Sequence, residues 1–257
     1  MKIYNPFKKF MRPTTVQGIF EETEVELANR NSGMPLESLE HDITPIGQHY
    51  LLTHFDIPNL DKDKHIISFS GDLSNPFSLT YDEIKLLPKK TMSVTLECAG
   101  NGRANVNPRN FSMPWKYGAV GTSEWTGTPL RPLLNEAQLK PSVIEISFTG
   151  VDRGYDSGYE HNFARSLTLE QINELDVLLV YQMNDIPLLP QHGAPLRIIV
   201  PGWYGMASVK WLTEIAALSK PFDGYQQIQT YRFRQNRAEI GEPITEMRVK
   251  SLMKPPG

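Results

Sequence analysis

The alternation of hydrophobic and polar residues predicts several of the strands in this chain. Residues 91–96 (Thr-Met-Ser-Val-Thr-Leu) and 143–148 (Val-Ile-Glu-Ile-Ser-Phe) carry β-branched residues in alternation, which is typical of strands with one buried face. Residues 66–70 (Ile-Ile-Ser-Phe-Ser) predict another strand. Residues 177–181 and 196–200 are largely continuous apolar runs, as expected of strands that are covered on both faces.

Two short helices are predicted by the residues that would cap them. Thr80 is a suitable first cap for a helix over 81–87, with an acidic residue three positions on and Pro88 as the stop. Thr168 can cap a helix over 169–175, which again has an acidic first turn. Short helices interleaved with mixed strands indicate an α+β or irregular α/β domain.

The composition narrows the possible classes of protein but does not identify a function. Twenty prolines and eighteen glycines in 257 residues predict many turns, and 40% hydrophobic residues are ordinary for a soluble globular protein. The net charge of −3 gives no reason to expect nucleic acid or an anionic membrane as a partner. No apolar run reaches the ~18 residues that would cross a bilayer. We expect a cytoplasmic protein, or a periplasmic one if a leader has been removed.

Cys98 is the only cysteine, so it cannot form an internal disulfide and any special role must be that of a free thiol or thiolate. It follows the predicted strand 91–96, and Gly100 and Gly102 then break that strand. Backbone amides at such a junction are free to face a ligand. The alternative is a buried structural cysteine, which is the usual fate of a solitary one.

The loop around this thiol resembles that of a known enzyme family. Cys98-Ala99-Gly100-Asn101, followed by Arg103, is similar to the metal-binding loop of the sulfite oxidase family of molybdenum enzymes. The resemblance continues in order over roughly residues 50–235, in the segments 118–122, 125–130, 180–184, 192–197, 200–202 and 208–211. It implies an α+β fold of the sulfite oxidase type, with mixed sheets and short helices, and a molybdenum-molybdopterin cofactor.

The resemblance also implies the residues of the site. Cys98 would be the sole protein ligand of the molybdenum, and a nearby Arg103 would favour its thiolate. Arginine and lysine bind phosphate and glycine amides allow close approach, so a further set is expected to hold the pterin and its phosphate. That set is His54, His192, Arg197, Gly205, Ser208 and Lys210. Without the resemblance, Arg197 and Lys210 would be interpreted as surface charges.

The chain departs from the family pattern at the substrate end. Leu52 stands where the family has an active-site arginine that neutralises an oxyanion, and Gly102 stands where many sulfite oxidases have a second one. Arg30, in the N-terminal segment, is the candidate replacement, and Arg103 remains on the loop. Tyr231 corresponds to the active-site tyrosine of the family, which can donate a hydrogen bond to the oxo group or substrate.

These residues favour a molybdenum-dependent oxidoreductase that transfers an oxygen atom to or from a small oxo substrate. Sulfite oxidation is the default, and a sulfoxide or another oxo compound is the alternative because of Leu52. A non-catalytic cofactor-binding protein is the second class. A cysteine nucleophile, a zinc site, a haem and a dinucleotide are disfavoured because their sequence motifs are missing. Electrons would pass through a separate partner protein or directly to an acceptor.

Three regions are expected along the chain. Residues 1–45 would wrap the surface, and residues 46–240 would form the molybdopterin-binding oxidoreductase domain. Residues 241–257 resemble the start of an immunoglobulin-like dimerisation domain. Because so few residues remain there, dimer formation is left open.

Overall fold

The computed structural model describes residues 30–107, 112–236 and 238–252, so most of the expected wrapping segment lies outside the described residues. Its strands are β1 (Ile66–Gly71), β2 (Phe77–Thr80), β3 (Lys90–Glu97), β4 (Val120–Pro129), β5 (Glu145–Asp156), β6 (Tyr159–Thr168), β7 (Leu178–Met183), β8 (Ile186–Pro187), β9 (Arg197–Ile199), β10 (Leu212–Leu218), β11 (Arg232–Phe233) and β12 (Glu242–Pro243). Its α-helices are α1 (Tyr81–Leu86), α2 (Leu130–Ala137), α3 (Leu169–Glu174) and α4 (Tyr225–Ile228). Within the described ranges, no helix is both long and apolar enough to cross a membrane.

The strands of the described residues form two larger sheets and one short ribbon. The first sheet has the order β2-β1-β10-β5-β6 and is mixed, because β1 and β10 run parallel while the other neighbours are antiparallel. The second has the order β3-β4-β7-β8, with β9 also paired to β7, and is antiparallel. The ribbon pairs β11 with β12. The expected α+β fold of mixed sheets and short helices is confirmed.

Local sequence signals explain where the helices begin. The side chains of Thr80 and Thr168 each accept a hydrogen bond from the backbone amide of the third helical residue. The side chain of that residue accepts one from the backbone amide of the cap, so both capping boxes are present. The two predicted helices are confirmed, and each ends one residue earlier than expected. At Gly127 a side chain would collide with the backbone of Leu179 at the bulge between β4 and β7, so only glycine lets these strands approach.

Two apolar clusters support the sheets. The larger one gathers β1, β5, β10 and the helices α1 and α2 around Ile67, Phe148 and Leu212. The smaller one surrounds Trp115 and Trp125, and it includes Cys98. Cys98 is therefore held by packing at the end of β3, where that strand leaves the second sheet.

Candidate functional site

A cleft with two adjoining chambers lies beside Cys98. The inner chamber is lined by residues that include Asp152, His192, Arg197, Ser208 and Lys210. The outer chamber is lined by residues that include Arg103, Met113, Trp115, Asp156 and Arg232. Both chambers share Leu52, His54, Cys98 and Tyr231. The cleft thus brings together the cofactor-binding residues expected from the sequence, Gly205 included, although their roles toward a cofactor remain predictions.

The turn after β3 presents the thiol of Cys98. The Cys98 amide donates to the carbonyl of Ala119 at 2.9 Å, and the amide of Asn101 closes the turn onto the Cys98 carbonyl at 2.9 Å. The Gly100 amide donates to Sγ at 3.4 Å. Burial raises the pKa of the thiol, whereas the Gly100 amide and the positive charge of Arg103 lower it. A bound metal cation would favour the thiolate that the cleft alone disfavours.

Arg103 covers the Cys98 turn from the outer chamber. Its guanidinium lies against Gly100, where any side chain would collide with it. It also donates to the carbonyl of Met113 at 3.3 Å. Arg103 therefore brings a positive charge to the boundary between the thiol and the outer chamber.

Arg197, at the start of β9, is buried and joins two loops of the inner chamber. Its two terminal nitrogens donate to the carbonyls of His192 and Ser208, both at 2.9 Å, and its guanidinium lies 4.9 Å from the centre of the Trp125 ring. Burial lowers its pKa to about 10. The interpretation as a surface charge is wrong. Arg197, which was expected to bind the cofactor phosphate, already donates to two protein carbonyls. Its buried Nε has no hydrogen-bond partner in the protein.

Lys210 and Asp152 are two titratable residues that line the inner chamber together with Arg197. Lys210 Nζ donates to the carbonyls of Leu52 at 3.0 Å and Gln191 at 3.1 Å. Burial, and secondarily the charge of Arg197, lower the pKa of Lys210 to about 7. Burial raises the pKa of Asp152 to about 7, against the opposing effect of Lys210. Asp152 Oδ1 is buried without a hydrogen-bond partner, so it can accept a bond from a ligand.

Sequence reasoning missed Asp152. It lies in β5 beyond the predicted strand 143–148, within the stretch between Thr149 and Arg153 where the register with β6 shifts. An isolated aspartate between Val151 and Arg153 carries no local signal of a site. Only the pairing of β5 with β10 and β6 places it against Lys210.

His54 and Tyr231 meet where the two chambers join, with 2.6 Å between Nε2 and Oη. The His54 ring keeps accessible surface, but protein surrounds the cleft, so desolvation and the charge of Lys210 lower its pKa to about 4. Burial and the negative charge of a Cys98 thiolate raise the pKa of Tyr231 above its usual value. At neutral pH a neutral imidazole therefore faces a neutral phenol, and Tyr231 can donate a hydrogen bond.

His192 and Ser208 complete the inner wall. Burial, and then the nearby His49 and Arg197, lower the pKa of His192 to about 3, so its ring is neutral. Ser208 Oγ accepts a bond from the amide of Val200 at 3.1 Å. These contacts hold the inner wall before any ligand arrives.

Arg30 does not reach the cleft, contrary to the expectation that it replaces the missing arginine. Its guanidinium pairs with Asp56 at 2.8 Å, and the two side chains are 62% and 87% exposed. Leu52 lines both chambers with an aliphatic side chain. The ion pair with Asp56 directs the positive charge of Arg30 to solvent, so the position of Leu52 stays uncharged.

The residues of the cleft fit a molybdenum-pterin cofactor. One wall offers the thiol of Cys98, and buried polar atoms without protein partners remain at Asp152 Oδ1, Arg197 Nε and His49 Nε2. About 660 Å³ of space not filled by protein atoms lies in the inner chamber, including open solvent at its mouth. The described residues contain no group of three or more His, Cys, Asp or Glu side chains able to hold a metal. A metal beside Cys98 would therefore need donors from a cofactor.

Comparison with known proteins agrees with this geometry. Residues 54–226 match the family model of the oxidoreductase molybdopterin binding domain. The chain is 33% identical over 198 residues to the mitochondrial sulfite oxidase of Drosophila melanogaster, covering 75% of this chain and 34% of that protein. It is 31% identical over 202 residues to the NADH nitrate reductase of Ulva prolifera, covering 76% of this chain and 23% of that protein. The chain spans about a third or less of the length of these two relatives.

The fold has a solved counterpart. The crystal structure of the sulfane dehydrogenase SoxCD from Paracoccus pantotrophus superimposes with a TM-score of 0.70 and 25% sequence identity, over 88% of this chain and 55% of that one. The family match covers well over half of the chain and includes the thiol loop, Asp152 and the inner wall. The chain therefore belongs to the sulfite oxidase and nitrate reductase family of oxidoreductases that bind molybdopterin.

Proposed function

We propose that this protein transfers an oxygen atom from a small, uncharged oxo compound, with a sulfoxide as the representative substrate. The observation that carries the proposal is the aliphatic Leu52 at the junction of the two chambers, beside Cys98 and the His54–Tyr231 pair. The net reaction breaks the sulfur–oxygen bond of the sulfoxide, takes up two electrons and two protons, and releases a sulfide and water.

Each part of the cleft has a distinct task in this proposal. Cys98 would bind the metal, and the inner chamber would hold the pterin through Asp152, His192 and Lys210. The bound molybdenum cofactor supplies a centre that exchanges two electrons and an oxygen atom. Tyr231, whose raised pKa keeps its proton in place, would donate a hydrogen bond to the substrate oxygen. Leu52, Met113 and Trp115 would exclude water from the outer chamber.

The charges of the outer chamber support an uncharged substrate. Arg232 lines this chamber, but its three guanidinium nitrogens donate to the carbonyls of Ile240, Gln227 and Gly241 at 2.6–2.8 Å. Asp156 adds a carboxylate to the same chamber. A dianion that loses its water shell there needs compensating positive charge, and Arg103 is the main source among the described lining residues.

Sulfite oxidation, the default expected from the sequence, is the second candidate. Arg103 favours it, because a guanidinium beside the thiol loop can form charge-assisted bonds to an oxyanion. With Leu52 in the wall and Arg30 paired to Asp56, we expect sulfite to be oxidised slowly and with a high KM. Electrons would be exchanged with a separate protein or directly with an acceptor.

The test uses protein purified from a host that makes molybdenum cofactor. Metal and pterin content per chain are measured first, followed by turnover of a dialkyl sulfoxide with a reduced viologen and of sulfite with an oxidised dye. We expect one molybdenum per chain and a higher kcat/KM for the sulfoxide. A higher value for sulfite would reverse the order of the two candidates. A fully loaded protein without turnover on either would support the non-catalytic alternative.

A further inference from the structure

A buried carboxylate lies directly before the thiol of the site. Glu97 is the last residue of β3, and its side chain is 8% exposed. Its Oε1 accepts bonds from Lys250 Nζ at 2.6 Å and from Asn101 Nδ2 at 3.0 Å. Burying a carboxylate is costly unless it is paired and hydrogen-bonded, so these two donors make its position possible.

Asn101 connects Glu97 to the Cys98 turn through hydrogen bonds. Its side-chain oxygen accepts a bond from the amide of Ala119 at 3.1 Å, and its backbone amide donates to the carbonyl of Cys98 at 2.9 Å. Lys250 Nζ also approaches the carbonyl of Asn101 at 3.4 Å. Glu97, Asn101 and Lys250 therefore form one network around the turn that presents the thiol.

Lys250 belongs to a segment, residues 244–250, that we call the strap. The strap is fixed by a bridge between Glu246 and Trp203 and by a bond from the Met247 amide to the Gly202 carbonyl at 2.9 Å. At its other end the amide of Ile244 donates to the carbonyl of Tyr231 at 2.8 Å. One continuous segment thus contacts the backbone of Tyr231, the loop before Gly205 and the thiol turn.

We propose that Glu97 and Lys250 are positioning residues that couple the strap to the direction of the Cys98 thiol. The physical reason is that the network leaves the turn with few alternative arrangements, because any movement of Asn101 breaks bonds to both Glu97 and Ala119. The inference rests on the proposed function only where it concerns metal retention. The effect on the turn itself is independent of any cofactor.

The test compares Lys250→Met with Lys250→Arg and with Lys90→Met as a matched control. Lys90 is a β3 residue whose ammonium pairs with Asp176 at 2.9 Å and which takes no part in the network, so its loss removes an exposed charge pair only. Backbone amide exchange of residues 97–104 is measured on cofactor-free protein. Cofactor loss during dialysis and the electron paramagnetic resonance of molybdenum(V) are measured on loaded protein.

We expect Lys250→Met to increase exchange in residues 97–104 several-fold and to accelerate cofactor loss about tenfold, the lower end for groups that support a metal ligand. The molybdenum(V) signal should broaden or shift, Lys250→Arg should restore most of each effect, and Lys90→Met should change none. A Lys250→Met protein with native exchange in this segment would overturn the proposal.

Glu97→Gln gives a second, independent measurement. The amide can still accept from Asn101 but lacks the charge that pairs with Lys250. The double variant Glu97→Gln, Lys250→Met should therefore be less perturbed than the sum of the single changes. Strict additivity in amide exchange would contradict the coupling, even if one single variant folds poorly. Absence of bound cofactor in every variant would instead count against the proposed function, and the exchange data would still decide the network.

Discussion

The two chambers of the cleft differ in how they use charge. In the inner chamber, Arg197 and Lys210 are surrounded by protein and donate to backbone carbonyls, so their positions are set before a ligand binds. In the outer chamber, Arg103 carries the main available positive charge, and the same lining includes the carboxylate of Asp156 and the aliphatic Leu52. The inner chamber fixes both of its cations on protein carbonyls, whereas the outer chamber combines two guanidiniums, Arg103 and Arg232, with one carboxylate and an aliphatic side chain.

This difference separates what the family shares from what this chain selects. A pterin with a phosphate needs a rigid set of donors and positive charges, and the inner chamber supplies them. A substrate site need match only the molecule that reacts there, so it can lose a guanidinium without disturbing the cofactor end. We therefore expect changes in the inner chamber to affect cofactor content, and changes in the outer chamber to affect substrate preference.

The largest effect is expected at Cys98, one of the four residues that both chambers share. Cys98→Ser should abolish turnover and reduce metal retention more than about 100-fold, beyond the range for groups that only support a ligand. The thiol and hydroxyl have similar size, so cofactor-free protein should keep its fold by circular dichroism. Molybdenum content after gel filtration checks the prediction. Wild-type activity in this variant would remove Cys98 from the site.

Arg197→Ala should give the next largest effect and tests the inner chamber. Loss of an arginine that only bound the cofactor phosphate would leave the core untouched, but Arg197 is buried and donates to the carbonyls of His192 and Ser208. We now expect a loss of about 3 kcal/mol in unfolding free energy as well, because two carbonyls lose their charged donor. Urea unfolding of cofactor-free protein and pterin content measure the two effects. Native stability with full occupancy would contradict both.

Leu52→Arg tests the outer chamber. An added guanidinium beside His54 and Tyr231 should lower the KM for sulfite about tenfold, the value of one modest charge-assisted bond. The KM for the sulfoxide should not fall. Arg30→Ala is the matched control and should leave sulfite kinetics unchanged, because Arg30 pairs with Asp56 outside the lining residues. A rise in the sulfite KM in that control would show that Arg30 reaches the substrate.

The same two chambers show how far the sequence can be interpreted. The caps at Thr80 and Thr168 and the strand that precedes Cys98 were predictable, because each depends on residues within a few positions. The resemblance supplied Lys210 and Tyr231, which no periodicity would have marked as functional. Both line the cleft, but their chemical roles remain predictions.

The rest depended on pairings between distant parts of the chain. Glu97 and Lys250 are 153 positions apart, so neither residue signals the other locally. Asp152 lies where the register of β5 with β6 shifts, between Thr149 and Arg153, and alternation cannot predict such a shift. Arg30 was assigned to the cleft on charge alone, and its pairing with Asp56 could be seen only in three dimensions.

The smallest effect is a pH dependence that tests the charges of the inner chamber. Asp152 has a folded pKa of about 7 against an ordinary 3.8, so the folded protein binds more protons than the unfolded chain between these values. Its contribution to stability therefore falls as the pH rises from about 4 to 7. Lys210 has a folded pKa of about 7 against 10.5, so its contribution rises from about pH 7 upward. The combined contribution of Asp152 and Lys210 to the stability of the cofactor-free protein is therefore lowest near pH 7.

Asp152→Asn isolates the acidic half of this curve. The variant cannot ionise there, so its stability relative to the wild type should increase steadily between pH 4 and 7 and then remain level. Urea midpoints of cofactor-free protein across this range measure the difference, and Asp56→Asn is the control because that carboxylate is exposed and outside the lining residues. A stability difference that does not depend on pH would mean that Asp152 is already ionised at pH 4. Burial in the inner chamber would then not raise the pKa of this carboxyl.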